Sequence, residues 1–498
     1  MIKLESEGKI MFQETIVSTS YGKVKGEKVG CVYSWKGIPY AKPPVGSLRF
    51  CPPERHDDWK GIYEATKFGL SAMQPRKTAI TGDKGDDVSE DCLHLNIWSR
   101  GTGDKLRPVM VWIHGGGYIA GSGYDGLYDG TSFAEEGDVV VVTINYRLGA
   151  FGFLYLGDIA GEKYKTSGNC GLLDQIAALK WVKENIKAFG GDPDKVTIFG
   201  ESAGAGSIGN LLVMSGAKGL FNQAIIESAP NLAIDTDKAA RVTKEIMNSL
   251  NVKSDEFEKL LELPAEEILN ASLKLPRKSL YPVIDGITIP ETPEKMMKKG
   301  AAKGITIMCG SNKDEFKLFT GMNPIFNKMD DNEIHSQLKK QFGELWTELY
   351  DYFSKEGINK ETYNRIMSYY FIIYPTLKYS EILSENSSVY VYKFNHVHPV
   401  LGAFHALELP YVWHKFDTET SELFRVAGED TKLADKMHHA WIAFAKTGNP
   451  NTEELPYWPE FNVNKREVMV FDNESKVEND PYEDREIWDK ISLERLTY

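Results

Sequence analysis

Cysteine is scarce in this chain: five in 498 residues (Cys31, Cys51, Cys92, Cys170 and Cys309), an odd number with no C-x-x-C spacing. That argues against a secreted disulfide framework and against a structural zinc site. Positive charge is in deficit too, with 58 Lys and Arg against 71 Asp and Glu for a net charge of −13. Such a surface repels nucleic acid and anionic membranes, and no lysine- or arginine-rich run offsets it. No stretch approaches the roughly 18 apolar residues that a membrane helix needs, so no membrane insertion is expected. Residues 1–10 carry acids and no apolar run, so they do not read as a signal peptide, and Met11 offers an alternative start. Internal repeats, low-complexity tracts and linkers are also missing. What remains is the composition of a cytoplasmic globular protein, 42% apolar and 11% aromatic, with enough apolar material for a large core.

Against that background one pentapeptide stands out. Gly200-Glu201-Ser202-Ala203-Gly204 follows the β-branched run 196–199 and precedes a helix-like stretch, 203–214. A serine on a sharp strand-to-helix turn needs small neighbours, because the backbone is strained and a nearby Cβ would collide. The turn exposes Oγ, and the helix N-terminus behind it faces developing negative charge. Upstream, residues 109–113 read as a buried strand running into His114-Gly115-Gly116-Gly117. Standing alone, that run would be better explained by a flexible or phosphate-cradling loop. Paired with a serine elbow, it reads as backbone N–H groups that converge on an oxyanion. A nucleophilic serine also needs a base and an orienting carboxylate, in chain order serine, acid, histidine. With ten histidines present, composition cannot choose among them.

Several ordered segments resemble the type-B carboxylesterase family, which includes bacterial p-nitrobenzyl esterases and cholinesterases. They are Gly37-Ile38-Pro39-Tyr40-Ala41, Pro43-Pro44-Val45-Gly46, Leu48-Arg49-Phe50, Glu90-Asp91-Cys92-Leu93-His94-Leu95-Asn96 and Asn145-Tyr146-Arg147. The two glycine motifs, Ser311-Asn312-Lys313-Asp314-Glu315, His405-Ala406-Leu407-Glu408-Leu409-Pro410 and Trp458-Pro459 complete the set. The likeness runs from about Thr15 to the end, and the bacterial p-nitrobenzyl esterase branch looks most similar through Phe404 to Pro410. The resemblance implies an α/β-hydrolase fold with Ser202 as nucleophile, His405 as general base and Glu315 as orienting acid. It implies oxyanion donors at the N–H groups of Gly116, Gly117 and Ala203, an acid at Glu201 beside the serine, and a supporting serine at Ser228. No cofactor and no metal ion are required. Two departures stand out. Phe316 follows Glu315 where glycine is common, which implies a narrower pocket. Ala72 occupies the place of the cysteine that usually pairs with the one in Glu90-Asp91-Cys92-Leu93, so Cys92 is expected to be free.

Residues 15–35 suggest an antiparallel meander broken at Gly22, Gly26 and Gly30. The nearly continuous apolar run 138–145 fits a central strand covered on both faces. Leu172, Ile176, Leu179, Val182, Ile186 and Phe189 fall on one helical face, ended by Gly190-Gly191-Asp192-Pro193. Further strands are expected at 224–227, 305–309, 389–394 and 468–471. The alternation points to an α/β class: one open, mostly parallel twisted sheet with helices on both faces, forming a single domain over 15–498. Two charged, helix-forming segments, 235–278 and 329–379, interrupt the rhythm and are expected as helical excursions over the active-site face.

Two rival functions remain. Gly204-x-Gly206-x-x-Gly209 after a strand, with Glu227 beyond it, fits a dinucleotide fingerprint, as does Gly121-x-Gly123-x-x-Gly126. Against an oxidoreductase, Ser202 already fills the turn and the first set of glycines lies inside the helix. A non-catalytic interaction protein of the same fold would have no reason to keep Ser202, Glu315 and His405 together. His396-x-His398 lacks a third ligand and reads as loop surface. His438-His439 reads as solvated or capping, and His414 as a weaker candidate base. The expectation is a serine hydrolase of small-molecule carboxylic esters, short-chain or aryl, whose activity falls off below roughly pH 6 to 7 as the histidine is protonated.

Overall fold

The structure, a computed structural model, describes residues 15–78, 82–83, 88–103, 105–230, 233–275, 279–418 and 431–491. The chain starts with β1 (Ile16–Thr19), β2 (Gly22–Lys25), β3 (Glu27–Val29), β4 (Val32–Pro39) and β5 (Ile62–Glu64). The expected single meander is two hairpins in different sheets. β1 and β2 pair with each other and β2 with β5, whereas β3 and β4 join the large sheet. The chain changes sheets at Gly26, where a Cβ would lie 2.3 Å from the Ser34 carbonyl oxygen, so only glycine fits so close to β4.

The 11-stranded sheet is completed by β6 (His94–Ser99), β7 (Arg107–Ile113), β8 (Val140–Ile144), β9 (Gly191–Glu201), β10 (Gln223–Glu227), β11 (Thr306–Asn312), β12 (Val389–Phe394), β13 (Glu467–Phe471) and β14 (Lys476–Asn479). Their order is β14-β13-β12-β11-β10-β9-β7-β8-β6-β4-β3. The block from β8 across to β13 is parallel, and the pairings at both margins are antiparallel. β7 lies between β8 and β9, so the chain leaves it in one direction and later returns on its other side. Ligand crevices form at the carboxyl ends of strands flanking such a switch point.

The longer helices are α1 (Cys170–Asn185), α2 (Ala203–Leu211), α3 (Thr236–Ser249), α4 (Ala265–Ser272), α5 (Asp331–Phe342), α6 (Trp346–Phe353), α7 (Lys360–Ser368), α8 (Tyr374–Ser384) and α9 (Thr431–Thr447). Alternation along the strands divides the core in two. Val109, Val111 and Ile113 of β7 join a cluster with Leu172, Leu179 and Val182 of α1. Met110 and Trp112 join the opposite cluster with Met437, Trp441 and Phe444 of α9. α1 continues into one tighter turn, Ile186–Phe189, and stops at Gly190, whose φ of 82° is left-handed. Beneath the sheet's carboxyl end, Arg147 and Asp174 form a bidentate ion pair at 2.8 and 2.7 Å, with both side chains buried.

The segments expected to interrupt the sheet carry helices joined by turns: α3 and α4 in the first, and α5 to α7 with the start of α8 in the second. Residues 276–278 of the first lie outside the described residues. α5 opens on a reciprocal cap between Asp330 and Glu333. α7 and α8 are joined by a five-residue π-turn, Tyr369–Ile373. All five cysteines are free, and Cys92 and Ala72 are both buried, as the departure at Ala72 implied. Among the described residues no helix is long and apolar enough to cross a membrane.

Candidate active site

Ser202 sits between β9 and α2 with φ 54° and ψ −118°, a conformation that L-residues avoid. The neighbouring glycines explain how the chain reaches it. A Cβ at Gly200 would lie 2.5 Å from the Ile113 carbonyl oxygen, and one at Gly204 only 2.0 Å from the same atom. Elbow and helix therefore press directly on the end of β7. The turn is held by Ser202 N–H donating to Glu227 O at 2.9 Å and Gly206 N–H donating to Ser202 O at 2.8 Å.

The adjacent loop leaves β7 through Gly115, Gly116 and Gly117. Gly116 (φ 105°) and Gly117 (φ 64°) adopt left-handed backbone, and a Cβ at Gly116 would strike Ala120 O at 2.1 Å. Gly115 was not singled out in the sequence, yet a Cβ there would meet Glu201 Oε2 at 2.8 Å and Ser202 Cβ at 3.2 Å. It is one of the contacts through which the glycine loop touches the elbow. Among the described residues the N–H groups of Gly116, Gly117 and Ala203 donate to nothing, which leaves them available to a ligand oxygen.

Glu315 and His405 arrive on two loops beyond β11 and β12. Asp314 N–H donates to Ala403 O at 2.8 Å, and Ala403 N–H donates to Asp314 Oδ2 at 2.9 Å, clamping the loops together. His405 Nδ1–H donates to Glu315 Oε2 at 2.6 Å. Glu315 Oε1 accepts from Ser228 Oγ at 2.6 Å and from Asn312 N–H at 2.7 Å. The carboxylate is thus fixed on both oxygens, and the imidazole is held with its proton on Nδ1 and Nε2 turned away. Asn312 also donates through Nδ2 to Phe404 O at 2.8 Å and to Glu408 Oε2.

His405 Nε2 lies 3.0 Å from Glu201 Oε1, an ion-pair contact without hydrogen-bond alignment. No hydrogen bond from Ser202 Oγ occurs among the described residues. Two acids therefore flank one buried imidazole. Burial alone would lower its pKa, but the charges of Glu201 and Glu315 outweigh that and push it well above the ordinary imidazole value. Behind them lie two further buried acids. Burial, reinforced by the charges of Glu201 and Glu315, raises Glu408 to about 8. Burial, reinforced by Glu408, raises Glu227 well above the carboxylate range, and its Oε1 accepts from Trp441 Nε1 at 2.9 Å. Sequence reading missed Glu408 and Asn312 as parts of this cluster and considered Glu227 only as a ribose-binding acid.

The remaining motifs find other uses. Gly204, Gly206 and Gly209 are buried within α2, where a Cβ at Gly206 would meet Tyr118 Oη at 2.7 Å, so they serve packing. A Cβ at Gly121 would meet His114 Nδ1 at 2.5 Å. His396 Nδ1 contacts Asn473 Oδ1 at 2.9 Å, and His414 Nε2 contacts Asp435 Oδ1 at 2.8 Å. His438 is not solvated, and it caps the short helix Leu409–Val412 by binding that helix's last carbonyl. It is fully buried against Phe133, donates from Nδ1 to Val412 O at 2.8 Å, and is pushed down to about 4 by burial. No cluster of three or more metal-ligating side chains occurs among the described residues.

An eleven-stranded, largely parallel sheet with helices on both faces and a serine elbow at its switch point is the α/β-hydrolase fold. A model described as "Carboxylesterase family" matches residues 13–488, and the chain belongs to that family. The para-nitrobenzyl esterase of Bacillus subtilis (strain 168) is 41% identical over 489 residues, covering 94% of this chain and 96% of that protein. The phenmedipham hydrolase of Pseudarthrobacter oxydans is 33% identical, covering 93% and 96%. Among solved structures, the Geobacillus stearothermophilus carboxylesterase EST55 at pH 6.2 superposes with a TM-score of 0.88 at 44% identity, covering 95% of this chain and all of that one. The protein is accordingly an esterase that acts on small-molecule carboxylic esters.

Proposed function

We propose that ester cleavage proceeds through an acyl-enzyme on Ser202, with His405 as general base and Glu315 as orienting acid. The observation that carries this reading is the 2.6 Å bond from His405 Nδ1–H to a Glu315 carboxylate that is itself fixed on its other oxygen. It commits Nε2 to accepting a proton. Nε2 exchanges its loose contact with Glu201 for the Ser202 hydroxyl, takes its proton, and Oγ attacks the ester carbonyl. The oxyanion is met by Gly116, Gly117 and Ala203, whose N–H groups are already unengaged. His405 then protonates the leaving alcohol, and water repeats the sequence to free the acid.

Substrates are short-chain or aryl esters, in keeping with the similarity to the para-nitrobenzyl esterase of Bacillus subtilis. One domain over 15–498 carries the site, and the excursions at 235–278 and 329–379 select the substrate. The protein works in the cytoplasm without cofactor, metal or nucleic acid. A p-nitrophenyl ester series from acetyl to palmitoyl, run on wild type and Ser202→Ala, tests the reading. Turnover of the shorter esters should fall by several orders of magnitude in the variant, and equal turnover would refute it.

A further inference from the structure

Three half-buried phenylalanine rings touch one another in a row that ends at His405. The ring centroid of Phe319 lies 5.2 Å from the His405 imidazole, Phe316 lies 5.3 Å from Phe319, and Phe371 stacks on Phe316 at 5.2 Å with planes 8° apart. Phe316 follows Glu315 directly and Phe319 comes three residues later, at the start of the short helix Lys317–Gly321, which aligns them on one face. Phe371 comes from the excursion. It is the central residue of the π-turn Tyr369–Ile373, and its four companions there are all buried. The wider turn is what presents this one ring outward, and such turns gather at functional sites.

The two segments are fastened to each other. Phe316 N–H donates to Ser368 Oγ at 2.9 Å, and Thr320 Oγ1 donates to Asn364 Oδ1 at 2.6 Å. The rings are therefore held in position before any ligand arrives, so little ordering is lost on binding. A row of planar faces, each keeping part of its surface open and ending on the imidazole, is complementary to a planar apolar group attached to the ester.

We propose that Phe316, Phe319 and Phe371 form the wall that selects an aryl group on the ester, with Phe316 and Phe371 as specificity-determining residues. This rests on the assignment of the chemistry to Ser202 and His405. Offset or edge-on ring contacts strengthen binding beyond area alone, and removing one should cost roughly 3- to 10-fold in discrimination.

The test measures kcat/KM for two substrate pairs of matched size, phenyl against cyclohexyl acetate and methyl benzoate against methyl cyclohexanecarboxylate. Each variant's ratio is divided by the wild-type ratio, which cancels the difference in intrinsic reactivity. Phe371→Leu and Phe316→Leu should lower the aryl preference roughly 3- to 10-fold, while Phe371→Tyr, which keeps the ring, should hold it within about twofold. A fall in the acetate pair places the aryl group on the alcohol side, and a fall in the benzoate pair places it on the acyl side. Phe371 is half-buried, so its leucine variant reads the wall even where Phe316→Leu fails to fold. Ratios unchanged in the leucine variants, or lowered equally in Phe371→Leu and Phe371→Tyr, would overturn the proposal. Labelling of wild type by a fluorophosphonate is scored separately. Its absence at Ser202 would overturn the underlying assignment, whereas labelling with unchanged ratios would overturn the wall alone.

Discussion

Replacing Glu201 with glutamine should move the acidic limb of the pH–rate profile. In its proposed role as general base, His405 accepts a proton only when Nε2 is bare, so activity should be complete above its pKa and lost as the pH falls through it. Two carboxylates hold that pKa up, Glu315 at 2.6 Å and Glu201 at 3.0 Å, and the wild-type limb should therefore lie above the ordinary imidazole value of about 6.5. This is higher than the bare sequence suggested. A full charge at 3.0 Å from the imidazole would be worth roughly 5 kcal/mol at an effective dielectric of about 20. Burial opposes it, and burial also raises the pKa of Glu201 itself. One opposite charge at close range typically shifts a group by about one to three units. Glu201→Gln should accordingly lower the limb by about one to three pH units with the fold intact. The assay is kcat/KM for p-nitrophenyl acetate from about pH 4.5 to 9, read where p-nitrophenol and its anion absorb equally. A limb within about 0.3 unit of wild type would refute the claim that Glu201 sets the basicity of His405.

Ser228→Ala removes one of the two donors to Glu315 Oε1. A hydrogen bond to a charged group is worth about 1.5–3 kcal/mol, so kcat/KM for p-nitrophenyl acetate should fall by roughly 10- to 150-fold, mostly in kcat. Gly204→Ala places a methyl group 2.0 Å from Ile113 O and should cost roughly 3 kcal/mol, seen as a lower Tm, together with loss of the elbow. Arg147→Ala strands the fully buried Asp174 and should cost about 3–5 kcal/mol in urea denaturation.

Much of the architecture was legible because it rests on local patterns. The β-branched run before Ser202, the glycines around it and the spacing of Leu172 to Phe189 each obey a rule that needs no distant partner. What escaped depends on tertiary context. β6 hides as a strand because Asn96 lies on it, buried, accepting from Gly37 N–H at 2.8 Å and donating to Thr143 Oγ1 at 2.9 Å. β14 (Lys476–Asn479) is charged and half-exposed at the sheet margin, so no apolar alternation marks it. Order along the chain named Ser202, Glu315 and His405 through a family likeness, but nothing local could place Glu201 against the far nitrogen of His405. Likewise nothing local says that the fold buries Glu227 and Glu408 together behind the site. The burial of His438 stayed hidden for the same reason, since helical spacing does not tell which polar residue the opposite layer will cover.

The central claim is that His405, oriented by Glu315, makes the hydroxyl of Ser202 nucleophilic. Intact-mass and peptide mapping after treatment with a fluorophosphonate test it most directly. One equivalent should attach to Ser202 in wild type, none in Ser202→Ala, and His405→Ala should react orders of magnitude more slowly. Modification elsewhere, or labelling of His405→Ala at the wild-type rate, would contradict it.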